Sequence, residues 1–267
     1  MDRKATLAAF DRQMRRPAQA DGSGARIEDA GAVVRYVSAD PAGWSAVLWS
    51  NLDEASADRV IAEQIAYFAG LGHAFEWKHY AYDRPADLPL RLRAAGLEPG
   101  AEEALLVAEV AALAGPGAAA TLPPGVRLIE ARDEASVGLV VRVHEEVFGV
   151  EHAWLGRALL NQLERAPDAV AAFVAMVGER PVSSARVEFH RGTDFASLWG
   201  GGTLPEFRGR GIYRALVAQR ARLAAERGFR YLQVDALPTS RPTLERLGFT
   251  HLTTTTPYGF RPPGRER

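Results

Sequence analysis

Two stretches of the chain carry the same order of hydrophobic and polar positions. In the first, SAVLWS (residues 45–50) is a short apolar run that predicts a strand. ASADRVIAEQIAYFAGLG (55–72) spaces its apolar residues three and four apart and closes on Gly72, which predicts an amphipathic helix. FEWKHYAY (75–82) alternates as a strand, LRAAGLE (92–98) ends a short helix, and EEALLVAEV (102–110) is a further strand. In the second, ASLWGGGTL (196–204) predicts a strand and GIYRALVAQRARLAAERG (211–228) a helix closed by Gly228. RYLQVDA (230–236) then predicts a strand, RPTLERLGF (241–249) a short helix with its turn, and HLTTTTPYGF (251–260) a last strand. Leu48-Trp49 matches Leu198-Trp199 in position, and Leu92 with Gly96-Leu97 matches Leu244 with Gly248-Phe249. Any two α/β units share such an order, but the paired residues favour a duplicated fold.

Between the two stretches lies AGPGAAATLPPG (114–125), whose prolines and small residues cannot build a core. It reads as a linker between a first domain over 1–113 and a second over 126–267. The 267 residues suffice for two such units. Hydrophobic residues make up 47% and charged ones 24%, as in a well-cored globular protein, and the formal net charge of -1 gives no general attraction to nucleic acid or an anionic membrane. With no cysteine, disulfides, thiolate catalysis and cysteine-bound metals are excluded. The first residues lack the apolar core of a signal peptide, and no run reaches the ~18 apolar residues of a membrane span, so a cytoplasmic location is expected. The six histidines (His73, His79, His144, His152, His190, His251) show no metal-binding spacing and read as scattered polar surface. WKHYAYDR mixes aromatic and basic residues as single-strand nucleic-acid sites do, but its alternation is that of an ordinary strand.

The chemistry concentrates in LPEFRGRGIYRAL (204–216), where a strand turns into a helix. Gly209 and Gly211 allow backbone conformations closed to other residues and let a ligand approach the main chain. The helix beyond offers unpaired N–H groups and the positive end of its dipole, and Arg208, Arg210 and Arg214 add charge. A pyrophosphate held by main-chain donors fits best. The alternative is a glycine-rich turn with solvated arginines. The dinucleotide fingerprint fails because Arg214 stands where its third glycine belongs, and there is no G-K-[ST] for a P-loop.

In these residues the chain resembles the GNAT superfamily of acyl-CoA-dependent N-acyltransferases, whose signature R/Q-x-x-G-x-G/A aligns with Arg208, Gly209, Arg210, Gly211, Ile212 and Tyr213. The likeness runs over roughly residues 125 to 260 and is fainter in the first half. It implies an α/β (α+β) fold of two tandem GNAT-like domains, each a mixed, mostly antiparallel central sheet flanked by helices. It also implies that the N–H groups of residues 209 to 214 bind the pyrophosphate of acetyl-CoA, while Gly202, Thr203 and Leu204 pair with its pantetheine arm. Tyr213 replaces the small last residue of the signature, so its ring must point away from the phosphates. The first half has WSNLDEASADRV at the equivalent turn, with Asp53, Glu54 and Asp58 where phosphates would sit, which implies a degenerate copy that does not bind CoA.

The resemblance further implies acetyl transfer to the amine of a small molecule, without a metal. The glycines at 200 to 202 can open a bulge that aims a backbone N–H at the thioester carbonyl, or can simply allow close packing. The strand glutamate of many relatives is replaced by Trp199 and Gly200, and the tyrosine four residues before the G-F pair by Leu244. Asp235, as base or substrate contact, and Tyr258, as acid, are the remaining catalytic candidates. A CoA-binding sensor without turnover, and an enzyme modifying protein N-termini or lysines, are the competing readings.

Overall fold

The computed structural model describes residues 1–115, 121–149 and 153–262. Residues 116–120 of the expected linker, His152, and residues 263–267 of the expected second domain lie outside the described residues. A first helix, α1 (Arg3–Phe10), is capped by Asp2, which accepts the Ala5 N–H at 3.1 Å, and runs into a π-helical turn at Asp11–Arg15. Then come β1 (Arg26–Asp29), β2 (Val33–Val37), β3 (Ala46–Ser50), α2 (Ala57–Gly70), β4 (Phe75–Tyr80), α3 (Leu88–Ala94), the two-residue β5 (Glu98–Pro99), β6 (Glu103–Glu109) and α4 (Val110–Ala114). After the linker follow β7 (Val126–Ala131), α5 (Glu134–Phe148), α6 (Ala153–Arg165), β8 (Val170–Val177), β9 (Arg180–Phe189) and β10 (Phe195–Thr203). A 3-10 turn at Pro205–Phe207 leads to α7 (Ile212–Glu226), β11 (Tyr231–Ala236), α8 (Arg241–Arg246) and β12 (Thr250–Phe260). Every strand and helix expected from the periodic stretches is present.

The strands form a single sheet ordered β1-β2-β3-β4-β12-β6-β11-β10-β9-β8-β7, with β5 on β12. The echo in the sequence is an echo in topology. β3 pairs in parallel with β4 and antiparallel with β2, as β10 does with β11 and β9. The halves also exchange their last strands. β6, from before the linker, pairs with β11 of the second half, and β12, the last strand of the chain, pairs with β4 of the first. β6 and β12 pair with one another and join the two halves into one sheet.

This exchange follows from burial. β6 (EALLVAE) is apolar on both faces, as a central strand must be, with Leu105, Leu106 and Val107 fully buried. One of its faces packs under α7 with Leu198, Leu216 and Leu232. The other meets Phe10, Tyr80, Phe195 and Tyr231, so α1 covers the junction of the halves. α2 and α3 cover the first half around Val47, Phe68, Trp77 and Leu92, and α5 and α6 cover β7 and β8. Among the described residues no helix is long and apolar enough to cross a membrane.

Candidate functional site

Strand alternation decides what β10 shows to each side. Ala196 and Leu198 point into the core beneath α7, and Ser197 and Trp199 point to the opposite face. The glycine run then breaks this order. The ladder with β9 shifts register between Trp199 and Gly202, and Gly200 is left-handed at φ +55°. A Cβ on Gly200 would meet His144 at 3.5 Å on the cavity face, whereas one on Gly201 would meet the Tyr213 ring at 3.1 Å on the α7 side. One on Gly202 would lie 2.7 Å from Val147. Both the bulge and the close packing expected at these glycines are therefore real.

On its other edge β10 leaves β11. The parallel pairing covers Phe195–Tyr231, Ala196–Leu232 and Ser197–Gln233, and beyond these pairs the strands diverge. Gly202 and Thr203 pair with Ser184 and Ser183 of β9, and the Leu204 N–H donates to the Val182 carbonyl at 2.9 Å. The Ser183 hydroxyl donates to the Gly202 carbonyl at 2.6 Å. Their edge toward β11 thus opens on a wedge between two diverging strands.

At the mouth of the wedge the chain turns through two left-handed glycines, Gly209 at φ +72° and Gly211 at φ +83°, into α7. Helix geometry leaves the N–H groups of Ile212, Tyr213 and Arg214 without intrahelical acceptors. Nothing lies within 4 Å of a Cβ built on Gly209, so space remains over the turn. The Arg208 Nε donates to the Thr203 carbonyl at 3.0 Å and Arg210 donates to the Glu206 carbonyl at 2.9 Å, while Arg214 is exposed. The Tyr213 ring packs inward against Gly201 and the second-half core, away from the turn, as its bulk required.

A cavity of about 520 Å³ lies on the Ser197–Trp199 face, walled by both halves. The first half supplies Asp21, Tyr36, Trp44, Lys78 and Tyr80, and the second His144, Arg186, Glu188, His190, Gln233 and Asp235. On its floor the Lys78 Nζ donates to the Asp235 Oδ2 at 2.5 Å. Burial alone would favour neutral Lys78, but Asp235 with Tyr80, Glu103 and Glu76 outweighs it and raises its pKa. Burial also raises Glu76, and it pushes Glu103 up to about 7 against the pull of Lys78. One ammonium thus serves three carboxyl groups.

The far wall is a second polar chain. Gln233 Nε2 donates to the Ser197 Oγ at 2.5 Å, which leaves the Ser197 hydroxyl proton for His190 Nε2 at 2.6 Å. Burial lowers His190 to about 4, so the ring is neutral and can accept that proton. Burial raises Glu188 against the attraction of Arg186, which donates to it at 3.3 Å.

Of the two catalytic candidates, Asp235 lines the cavity and Tyr258 does not. Tyr258 lies on β12 opposite Trp77 and Pro99, buried in the first-half core with its ring 6.0 Å from that of His79. The strand exchange carries it there, a displacement that no local pattern encodes. The histidines also need correction. His73 and His79 are buried, and His144 and His190 line the cavity, so they are not scattered surface. The first half was expected to wall the acceptor site, but its lining residues were not foreseen, although Lys78, a cation within an apolar alternating strand, was a visible signal. No cluster of potential metal ligands occurs among the described residues.

Residues 134–249 match the family model described as the Acetyltransferase (GNAT) family. Solved structures share the fold of nearly the whole chain. A GCN5-related N-acetyltransferase from Kribbella flavida is 16% identical at TM-score 0.68, over 98% of this chain and 95% of that one. A tandem GNAT protein from the clavulanic acid biosynthesis pathway is 12% identical at TM-score 0.65, over 99% and 95%. A GCN5-related N-acetyltransferase from Sphaerobacter thermophilus is 17% identical at TM-score 0.60, over 99% and 87%. No curated protein gave a match. The second half therefore matches the Acetyltransferase (GNAT) family model over residues 134–249, within a whole-chain fold that the chain shares with a tandem GNAT protein.

Proposed function

We propose that the protein transfers an acetyl group from acetyl-CoA to the amine of a small molecule held in the cavity between the halves. The observation that carries this reading is the meeting of three features on one strand. The wedge beside β11, the bulge at Gly200–Gly202 and the glycine turn before α7 all belong to β10 and its continuation. The residues fit the donor: the turn offers space and N–H groups for a pyrophosphate, and the free edge of Gly202–Leu204 suits an extended amide-bearing arm. When bound, acetyl-CoA supplies the activated acetyl group.

The chain's own residues then have defined tasks. Main-chain groups released by the bulge at residues 199–202 suit a developing oxyanion. The cavity holds the amine against the thioester, and such positioning can supply up to about 7–11 kcal/mol of the barrier. Asp235 keeps one carboxylate oxygen on Lys78 and a second, Oδ1, without a hydrogen-bond partner, suited to ordering the amine or a water that takes its proton.

The first half acts as wall and strand donor without binding CoA. At its equivalent turn the Asp53 carboxylate accepts the Ser56 N–H at 2.8 Å, so the start of α2 already holds an anion of the chain's own. Incubation with acetyl-CoA and an amine library, read by mass, tests the proposal: acetylated small amines are expected, and Gly211→Glu should abolish them. Stoichiometric CoA binding with no acetylated product would establish a sensor, and acetylated peptides alone a protein modifier.

A further inference from the structure

α7 buries a cation outside the cavity. Arg220 is 1% exposed, and no carboxylate pairs with it among the described residues. Isolated charges are costly to bury, because the interior does not replace the water they lose. Burial accordingly lowers Arg220 to about 10, with the Tyr213 phenol acting against it, and the guanidinium stays charged at neutral pH.

Its position shows what the charge faces. Arg220 follows Tyr213 by seven residues, about two turns along one face of α7. The Nε donates to the Leu216 carbonyl at 3.0 Å, which lays the side chain along the helix. The Nη1 donates to the Arg186 carbonyl at 3.1 Å, and Arg186 is the β9 partner of Trp199, the last pair before the ladder shifts register. The shift sets Gly200 and Gly201 together opposite Ala185, two residues against one, as in a bulge. The Nη2 has no hydrogen-bond partner. A Cβ on Gly201 would lie 3.7 Å from that nitrogen and 3.5 Å from the Tyr213 hydroxyl. A charged N–H group without an acceptor thus lies beneath the bulge, on the side away from the cavity.

We infer that Arg220 is a positioning residue of acetyl transfer, its charge fixed beneath Gly201 so that the main-chain N–H groups of the bulge stabilise a developing oxyanion more strongly. This rests on the acetyl-transfer reading, in which negative charge grows on the thioester oxygen at the bulge. A cation held in a dry surrounding acts on such charge far more than one in water, and it needs no rearrangement during the reaction. Tyr213, where the chain departs from the family signature, covers the same glycine beside the guanidinium.

Acetyl-CoA labelled with carbon-13 at the thioester carbonyl, bound to the full chain without an acceptor, reports this field through its infrared carbonyl band. In the unaltered protein the band is expected below its position in free acetyl-CoA. Arg220→Met, apolar and of similar length, should lose most of that displacement while the dissociation constant of acetyl-CoA stays the same. With an acceptor, kcat should fall at least about tenfold in this variant at an unchanged KM for acetyl-CoA. A band at the free position in the unaltered protein would overturn the inference without any variant. So would a displacement that survives Arg220→Met, or one lost together with acetyl-CoA binding, as a merely structural role predicts. No acetyl-CoA binding by the unaltered protein, or no acetylated product of any kind, would defeat the transfer reading and this inference with it. A displacement that depends on Arg220, with acetylated peptides and no acetylated small amine, would retain the inference and defeat only the small-amine reading.

Discussion

Lys78 of β4 and Asp235 of β11 are 157 residues apart in the chain and 2.5 Å apart in the fold. Their side chains are only 10% and 8% exposed. Removing one partner of so buried a pair strands the other charge, which costs about 3–5 kcal/mol, whereas replacing both by apolar groups is often neutral. Lys78→Met should therefore destabilise by that amount, and Lys78→Met with Asp235→Leu should recover most of it. Urea unfolding of the four proteins in a double-mutant cycle measures the coupling. A coupling near zero would mean that water screens the pair.

Gly211→Glu should abolish acetyl-CoA binding in a calorimetric titration. The position is left-handed at φ +83°, and the new carboxylate would stand among the N–H groups meant for phosphate. Arg208→Ala should weaken binding more modestly, by about 1–3 kcal/mol, through loss of a charged hydrogen bond. A stoichiometry of one CoA per chain is expected in both titrations, and two equivalent sites would refute the silent first half.

Tyr258→Phe should leave turnover nearly unchanged, because the ring is buried in the first-half core against Trp77. A general acid would lose about 10²–10⁴ in rate. Turnover should instead rise with pH as the acceptor amine loses its proton, and the midpoint should follow acceptor basicity across a series of amines.

Burial holds the folded-state pKa of His190 down at about 4 against an ordinary value of 6.5. The unfolded chain binds that proton first, so this contribution is complete above about pH 6.5 and is lost as pH falls toward 4. Between pH 7 and pH 5 the loss should be on the order of 2 kcal/mol. His190→Gln should lack it, which urea midpoints of both proteins at the two pH values would show. Glu103 runs the opposite way. Its carboxyl is pushed up to about 7, so its stabilising neutral form is lost as pH rises from the ordinary 4.5 through 7. Glu103→Gln should therefore stabilise the protein increasingly over that range.

Deleting residues 1–113 should yield an insoluble second half. β11 loses β6, β12 loses both β4 and β6, and the exposed ladder edges are flanked by apolar faces. A soluble, folded fragment over 126–267 would contradict this.

Local patterning carried half of the strands. The periodic runs place β3, β4, β6, β10, β11 and β12 and the helices between them, because side-chain periodicity is a property of the chain itself. The glycine turn at 209 and 211 was equally legible, since only glycine adopts its left-handed conformations freely. The bulge could be foreseen from Gly200–Gly202, although only coordinates show Gly200 facing His144 and Gly201 facing Tyr213.

The sequence by itself thus determined the elements from β3 to β6 and from β10 to β12, their repeated order and the glycine turn before α7, all consequences of interactions within a few residues. Tertiary structure alone decided which strands meet. β6 and β12 are compatible with a neighbour from either half, and the choice rests on apolar faces that become complementary only when both halves are packed. That choice places Tyr258 outside the cavity lining, brings Lys78 to Asp235, and puts Asp21 and Gln233 on the wall of one cavity. These are contacts at long separation, fixed by burial and charge over the whole fold, and no local pattern contains them.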